Sequence, residues 1–424
     1  GPILHLAVAA YAYVPPRVVR QRDRYFQHRG AEGEMHEALR GHDGLPGDMY
    51  MENEKGPLLS RGNRERACWA TLLTHAPFLP CLAVLVYTMK RCETQYPLVV
   101  MVTPTVDTNT RQVLQQMGCI VRDVDVWHID RPHEIMATER FIHVWTKLRA
   151  FELYEYDRVI MIDSDMLMCQ QMDELFELEL PPDTIASGLA CTCNPNAIPT
   201  YPPDWTPENC GYALRPHPPP RSVRKRSTHH LMNSGTVVLR PSMRHSEAIH
   251  GFMREHAERI AQYRFPDQDL LADMYREHWV VLPWYYNALK TLRRCHRDLW
   301  NDRHVRIIHY ILDKSDPILL PLPAGSIKSA YQIRLTFFFS CSKPWQTGPL
   351  SAARDDPDAH LHSIWWSTYR SLAADPTRVG LTRERWTCDI AVHVNDSTPS
   401  RNVVADKART LEENNIAFMG IQMK

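Results

Sequence analysis

The chain is predicted to fold as an α/β protein around a mainly parallel central sheet, on three observations. Between residues 68 and 126, apolar β-rich runs alternate with helically spaced ones in the succession βαβαβ, which needs crossover connections and a sheet covered on both faces. The apolar run "RVIMID" (158–163) is preceded and followed by helical patterns, so the alternation continues. With 424 residues, 44% of them hydrophobic, the chain can bury a large core.

In chain order, "CWATLLT" (68–74) and "LVVMVT" (98–103) read as strands with the helix "FLPCLAVLVYTMKR" (78–91) between them. "DTNTRQVLQQMG" (107–118) reads as a second helix and "CIVRDVDV" (119–126) as a third strand. "HVWTKLRAFELYEY" (143–156) has helical spacing, "RVIMID" is a strand, and "MDELFEL" restarts a helix. Residues 191–230 form a proline-rich loop with the basic cluster "RSVRKR"; such a loop usually covers a site. "TVVLRPS" (236–242) returns as a strand and "MRHSEAIHGFMREHAERIAQY" follows as a long helix. "DQDLLADMYREHW" opens another helix, led by Asp267 and Asp269.

One folded domain is expected over 67–375, after a lead-in of 1–66 and before a tail of 376–424. Within the lead-in, the apolar stretch "GPILHLAVAAYAYVPP" is shorter than the ~20 residues that span a bilayer. It reads as the remnant of a membrane anchor or as a loose terminus. Membrane association and compartment, cytoplasm or Golgi lumen, stay open.

Lys plus Arg and Asp plus Glu number 49 each, so no global field draws the chain to nucleic acid or to an anionic membrane. Eleven cysteines over this length read mostly as reduced thiols. The "CTC" of Cys191 and Cys193, with Cys210 downstream, is compatible with a metal clip or a local disulfide, although C-x-C lacks the usual zinc-knuckle spacing.

The stretch "RVIMIDSDMLMCQQMDELF" (158–176) puts Asp163 and Asp165 at the C-terminal end of a buried strand, the edge where open α/β sheets bind ligands. In extended backbone, residues two apart point the same way. Both carboxylates can then serve one hard divalent cation, and Mg or Mn typically adds substrate phosphates to such a pair. An exposed turn is the plain alternative.

"DSDMLMCQQMDELF" also resembles the D-x-D segment of glycosyltransferase family 8, the family of glycogenin and plant galactinol synthase. Five further segments match in the family's order: "ATLLTHAPFLPCLAVLVYTMKR", "HVWTKLRAFELYEYDRVIMID", "LMNSGTVVLRPS", "FPDQDLL" and "RIIHYILDK". The resemblance, over about residues 67 to 350, implies a single GT-A type (Rossmann-like) nucleotide-diphospho-sugar transferase domain. It implies a Mn2+ ion, with Mg2+ as the substitute, on Asp163, Asp165 and His309. It implies phosphate contacts from Lys147 and from Lys343 of the K-P-W segment, and a uridine pocket of Leu72, Thr74 and Phe78. Ser164, Asn233 and Ser234 would hold the donor, and Asp267 and Gln268 would lie beside the anomeric carbon. The implied reaction is retaining transfer from UDP-glucose or UDP-galactose to a hydroxyl of a polyol, a glycan or a protein Tyr. A Tyr acceptor would bring in a homodimer interface. Each residue has a plainer alternative: a solvated Lys147, a core His309, a turn at "NSG" with Gly235 supplying backbone freedom, and a core Phe78.

In the family the His strand runs within a few residues into K-P-W. Here "HYILDK" and "PWQTG" are parted by residues 315–343, and removing these restores "HYILDKPWQTG". The insertion has a lysine at each junction and apolar runs "ILLPLP" and "LTFFF", and reads as a translated, unspliced intron or as a lid loop. If real in the folded chain, it is expected to displace Lys343 from beside His309. Two alternatives follow. One is a catalytically impaired sugar-nucleotide-binding protein. The other is a D-x-D phosphatase of the haloacid dehalogenase type, disfavoured because Met166 follows the motif and at least three strands precede it.

Overall fold

The computed structural model describes residues 66–127, 144–198, 201–213, 228–276, 278–312, 343–347 and 357–394. β1 (Ala67–Leu73), β2 (Leu98–Val102) and β3 (Ile120–Asp123) pair in parallel and step outward. α1 (Leu79–Arg91) and α2 (Thr108–Gln116) join them, as the βαβαβ pattern predicts. The chain then returns to the centre, where β4 (Arg158–Ile162) pairs in parallel with the other side of β1. β7 (Met232–Leu239) runs antiparallel to β4 and to β6 (Ala186–Leu189), and β8 (Val280–Val281) lies parallel to β6. The resulting order is β3-β2-β1-β4-β7-β6-β8. This is the mainly parallel sheet of a GT-A type α/β fold.

The strand order reverses between β1 and β4. In an open α/β sheet such a reversal opens a crevice beyond the carboxyl ends of the two strands. A second, three-stranded sheet sits beside it: β10 (Ile307–His309) pairs antiparallel with β5 (Met166–Met168) and parallel with β9 (Ala288–Leu289).

Local chemistry fixes the helix starts. Asp107 caps α2 by accepting from the Thr110 N–H, and Ser242 caps α3 (Met243–Glu255) by accepting from the His245 N–H. α4 (Pro266–Met274) begins on a proline, and Asp269 Oδ2 accepts the backbone N–H groups of Arg264 and Phe265, satisfying donors that the helix leaves free. α1 is buried on nearly every side because it packs on β5 and beneath α5 (Ala359–Ala374).

Several elements differ from the sequence expectation. "MDELFEL" forms only a 3-10 turn, Asp173–Glu177, whose Leu175 and Phe176 are buried; β5 comes between it and the D-x-D motif. Lys147 lies on a 3-10 helix, Trp145–Glu152. "NSG" lies inside β7 rather than in a turn before it. Residues 376–394, assigned by sequence to a tail, pack on the domain: Trp386 meets Tyr369 at 5.4 Å between ring centroids, and Asp389 accepts from Asn109 on α2. The N-terminal lead-in through residue 65, the insertion up to residue 342 and the tail from residue 395 lie outside the described residues. Among the described residues, no helix is long and apolar enough to cross a membrane.

Candidate active site

The D-x-D residues lie at the switch point. The β1–β4 register pairs Ala70 with Met161; continued two residues, it sets Leu72 level with Asp163. Asp163 follows the last residue of β4, and Ser164 and Asp165 form a turn into β5. The turn, rather than the extended backbone expected from sequence, brings the carboxylates together.

Two registers deliver the partners. β4 pairs Ile162 with Thr236, and the Asp163 N–H donates to the Gly235 carbonyl at 3.0 Å, so "NSG" flanks the motif. β10 pairs His309 with Met166, the residue after Asp165. His309 Nε2 then lies 3.4 Å from Asp163 Oδ2 and 3.4 Å from Asp165 Oδ1. Two donors ~2.1 Å from one octahedral cation stand about 3 Å apart, so the separations suit a shared ion after a small contraction.

A chain of hydrogen bonds decides which imidazole nitrogen faces the carboxylates. The Gly235 N–H, which can only donate, meets Asn233 Oδ1 at 3.1 Å. The Asn233 amide nitrogen therefore points to Gln268 Oε1 at 2.9 Å, and Asn287 Nδ2 donates to Asn233 Oδ1 at 2.7 Å and to the Asn233 carbonyl at 3.2 Å. Asn287 Oδ1 is left to accept from His309 Nδ1 at 2.9 Å. Nδ1 must carry a proton, and Nε2 is the nitrogen presented to the Asp pair. A ligating histidine held through its other nitrogen is the usual arrangement of a metal site.

Each carboxylate uses its second oxygen on a lysine. Lys147 Nζ lies 2.6 Å from Asp163 Oδ1 and 3.2 Å from Asp267 Oδ2, and donates to the Ser234 carbonyl at 2.8 Å. Lys343 Nζ pairs with Asp165 Oδ2 and donates to the Tyr310 carbonyl at 3.1 Å. The expectation that the insertion displaces Lys343 is therefore corrected: the chain returns it to the carboxylate pair, and Trp345 is buried against Trp365 of α5.

Burial pushes the Asp165 carboxyl up, but the Lys343 ammonium and the His309 imidazole outweigh it and hold the group well below the usual carboxylate range. Burial likewise works to lower the Lys147 ammonium, and Asp163 and Asp267 outweigh it and raise the group above the ordinary lysine value. Three carboxylates thus meet two ammonium groups, and the negative charge left over favours a cation.

Among the remaining residues named from sequence, Asp267 and Gln268 are buried at the start of α4. Ser234 Oγ donates to Asp267 Oδ2 at 2.7 Å. Leu72, the last residue but one of β1, is half-buried, and the Thr74 carbonyl accepts from Thr105 Oγ1 at 2.8 Å. Phe78 ends a 3-10 turn, Ala76–Phe78, packed half-buried on the core. The Ser164 side chain lies against the Cys81 thiol.

Two functional residues escaped the sequence reading. Asn287 sits in "WYYNALK" with no motif around it; a lone amide in an aromatic run was its one signal. Gly235 serves space rather than backbone freedom, because a Cβ there would lie 2.4 Å from His309 Cε1 and Nδ1 and 2.8 Å from the Met166 methyl. The donor set of two carboxylates and an imidazole fits a Mn or Mg ion.

The chain matches the model of glycosyl transferase family 8 over residues 62–314. It is 24% identical over 330 residues to galactinol synthase 7 of Arabidopsis thaliana, spanning 77% of this chain and 87% of that protein. It is 24% identical over 348 residues to galactinol synthase 1 of Solanum lycopersicum, spanning 79% and 92%. The crystal structure of the galactosyltransferase LgtC in complex with donor and acceptor sugar analogues aligns with a TM-score of 0.43 at 13% identity, over 74% of this chain and 99% of that one.

Proposed function

We propose, since the chain belongs to glycosyl transferase family 8, that it moves glucose or galactose from a UDP-sugar to a hydroxyl acceptor with retention of configuration. Asp163, Asp165 and His309 would hold Mn2+, or Mg2+ in its place. The observation that carries this reading is the convergence of Asp163 Oδ2, Asp165 Oδ1 and His309 Nε2 at the switch point. A divalent cation bound there acts as a Lewis acid for the charge developing on the departing diphosphate.

The chain's own residues do the remaining work. Lys343 and Lys147 carry positive charge to the diphosphate. Leu72, Thr74 and Phe78, at the carboxyl end of β1, hold the uridine. Ser164, Asn233 and Ser234 orient the donor sugar. Asp267, fixed by Ser234 and Lys147 through Oδ2, stabilises the oxocarbenium-like centre with Gln268, whose amide Asn233 orients. The diphosphate takes the acceptor proton. The galactinol-synthase relatives favour galactose as donor and a small polyol as acceptor; a glycan or a protein Tyr is the competing acceptor class.

The test is UDP release from UDP-galactose and UDP-glucose, with and without Mn2+, across a panel of polyols and glycans. Metal-dependent release stimulated by one acceptor class, and abolished in Asp163→Asn, is the expected result. Tight UDP binding without turnover would instead make the chain a binding-only protein. Cleavage of simple phosphate esters without UDP would restore the phosphatase.

A further inference from the structure

Away from the Asp pair, three thiols and one imidazole converge. Cys191, Cys193 and Cys210 place Sγ at 3.7, 3.2 and 3.4 Å from His296 Nε2, and the four ligand atoms all lie within 4.8 Å of one another. In a tetrahedral zinc site with Zn–S of about 2.3 Å and Zn–N of about 2.0 Å, each S···N edge is about 3.5 Å. The three measured edges bracket that length. We propose that Cys191, Cys193, Cys210 and His296 hold a structural zinc ion in a closed Cys3His site, independent of the transferase centre.

A disulfide explains this cluster less well. It would join two sulfurs and leave the third sulfur and the nitrogen without purpose, whereas here all three sulfurs surround one nitrogen. The thiols are free in the structure, and Cys193 and Cys210 are buried. Thiolates with one imidazole select zinc, whereas Mn and Mg prefer oxygen. The two centres would therefore sort their metals by ligand chemistry. Cys295 lies beside Cys191 and Cys193 but falls outside the four-atom group, and it serves as the internal control.

The local backbone is prepared for the ligands. His296 follows the short helix Leu292–Cys295; its N–H donates to the Leu292 carbonyl at 2.8 Å and its carbonyl accepts from Leu299 and Trp300. Asn194, at φ 45°, turns the chain after Cys193 and accepts the Ile198 N–H at 2.8 Å. Beyond Cys210, Tyr212 Oη donates to the Leu189 carbonyl at 2.9 Å.

The elements joined give the site its purpose. Cys191 stands two residues past β6, whose Ser187 donates to the Asn233 carbonyl at 2.9 Å. His296 lies between β9 and β10, on the segment that starts from Asn287 and leads to His309. The described part of the 191–213 loop holds no regular element beyond the 3-10 turn Pro207–Asn209, and its backbone hydrogen bonds, such as Ala197 N–H to the Asn194 carbonyl and Ala213 N–H to the Cys210 carbonyl, close local turns within the loop. A zinc staple orders the loop as a whole, and ties both supports of the Asn233–Asn287–His309 relay together.

The test uses the full-length chain, purified under reducing conditions and dialysed against a mild chelator. Mass spectrometric metal analysis is expected to find one zinc per chain in the wild type, in Asp163→Asn and in Cys295→Ser, and at least about tenfold less in Cys193→Ser and Cys210→Ser. Cobalt-loaded wild type is expected to show thiolate-to-cobalt charge transfer and the intense visible bands of a tetrahedral ion. This second readout decides the matter if the cysteine variants fail to fold. Wild type without stoichiometric zinc, zinc lost in Asp163→Asn but kept in Cys193→Ser, a cobalt spectrum without the thiolate band, or a disulfide among the three cysteines would each overturn the assignment.

Discussion

Gly235 and His309 are in such close contact that the imidazole fills the space a side chain on residue 235 would need, with Cε1 and Nδ1 2.4 Å from an ideal Cβ. Gly235 lies within β7, and its φ is not among the positive ones, so alanine meets no backbone strain. The closest clashes are with the ring and with the Met166 methyl. Gly235→Ala is expected to push His309 off the Asp pair, at an overpacking cost of about 1–3 kcal/mol. Manganese titration should read weakened binding, while far-ultraviolet circular dichroism stays that of wild type.

Asn287 sets the tautomer of His309, so its loss should act on the metal rather than on the fold. Asn287→Ala removes the acceptor at 2.9 Å from Nδ1 and is expected to weaken Mn2+ binding about 10–100-fold. Asn287→Asp keeps that acceptor and should recover part of the affinity. Equal affinity in all three proteins, measured by calorimetry, would show that the relay does not tune the site.

Lys147 is buried between Asp163 and Asp267. Lys147→Met leaves both carboxylates without their partner, and breaking a buried pair this way costs about 3–5 kcal/mol. Because Asp163 keeps 28% of its side chain exposed, the lower end of that range is expected. Urea unfolding measures it, and added Mn2+ should stabilise the variant more than the wild type.

Burial pushes the Asp269 carboxyl up to about 6 against the backbone N–H groups that favour its charge. A carboxyl whose folded pKa is raised binds its proton more tightly when folded, so its stabilising contribution is complete below about pH 4, the unfolded value, and is lost as pH rises through about 6. Asp269→Asn retains an acceptor for the Arg264 and Phe265 N–H groups. It should flatten the stability profile across that window in chemical denaturation at stepped pH. An unchanged slope would assign the titration to another group.

Trp386 belongs to the domain. It is 3% exposed and faces Tyr369 of α5. Trp386→Ala is expected to cost about 3–5 kcal/mol and to lower the melting temperature, and deletion of residues 376–424 should do at least as much.

The sequence alone was enough for the parallel sheet, the strand edge carrying Asp163 and Asp165, and the family to which "NSG", "DQ" and His309 point. Those features are local: burial and side-chain period are written into runs of a few residues, and each motif falls within one run. The tertiary structure alone decided what faces what. A turn rather than a strand brings the two carboxylates together, the β5–β10 register carries His309 to them, and an amide in an unmarked aromatic run fixes its tautomer. Lys343 returns to Asp165 although the linear chain separates it from β10, and His296, which nothing in the sequence had linked to them, joins the three cysteines that had read as a metal clip or a disulfide. Such contacts join segments far apart in the chain. Packing and strand register select them, and neither is encoded at the residues that finally touch.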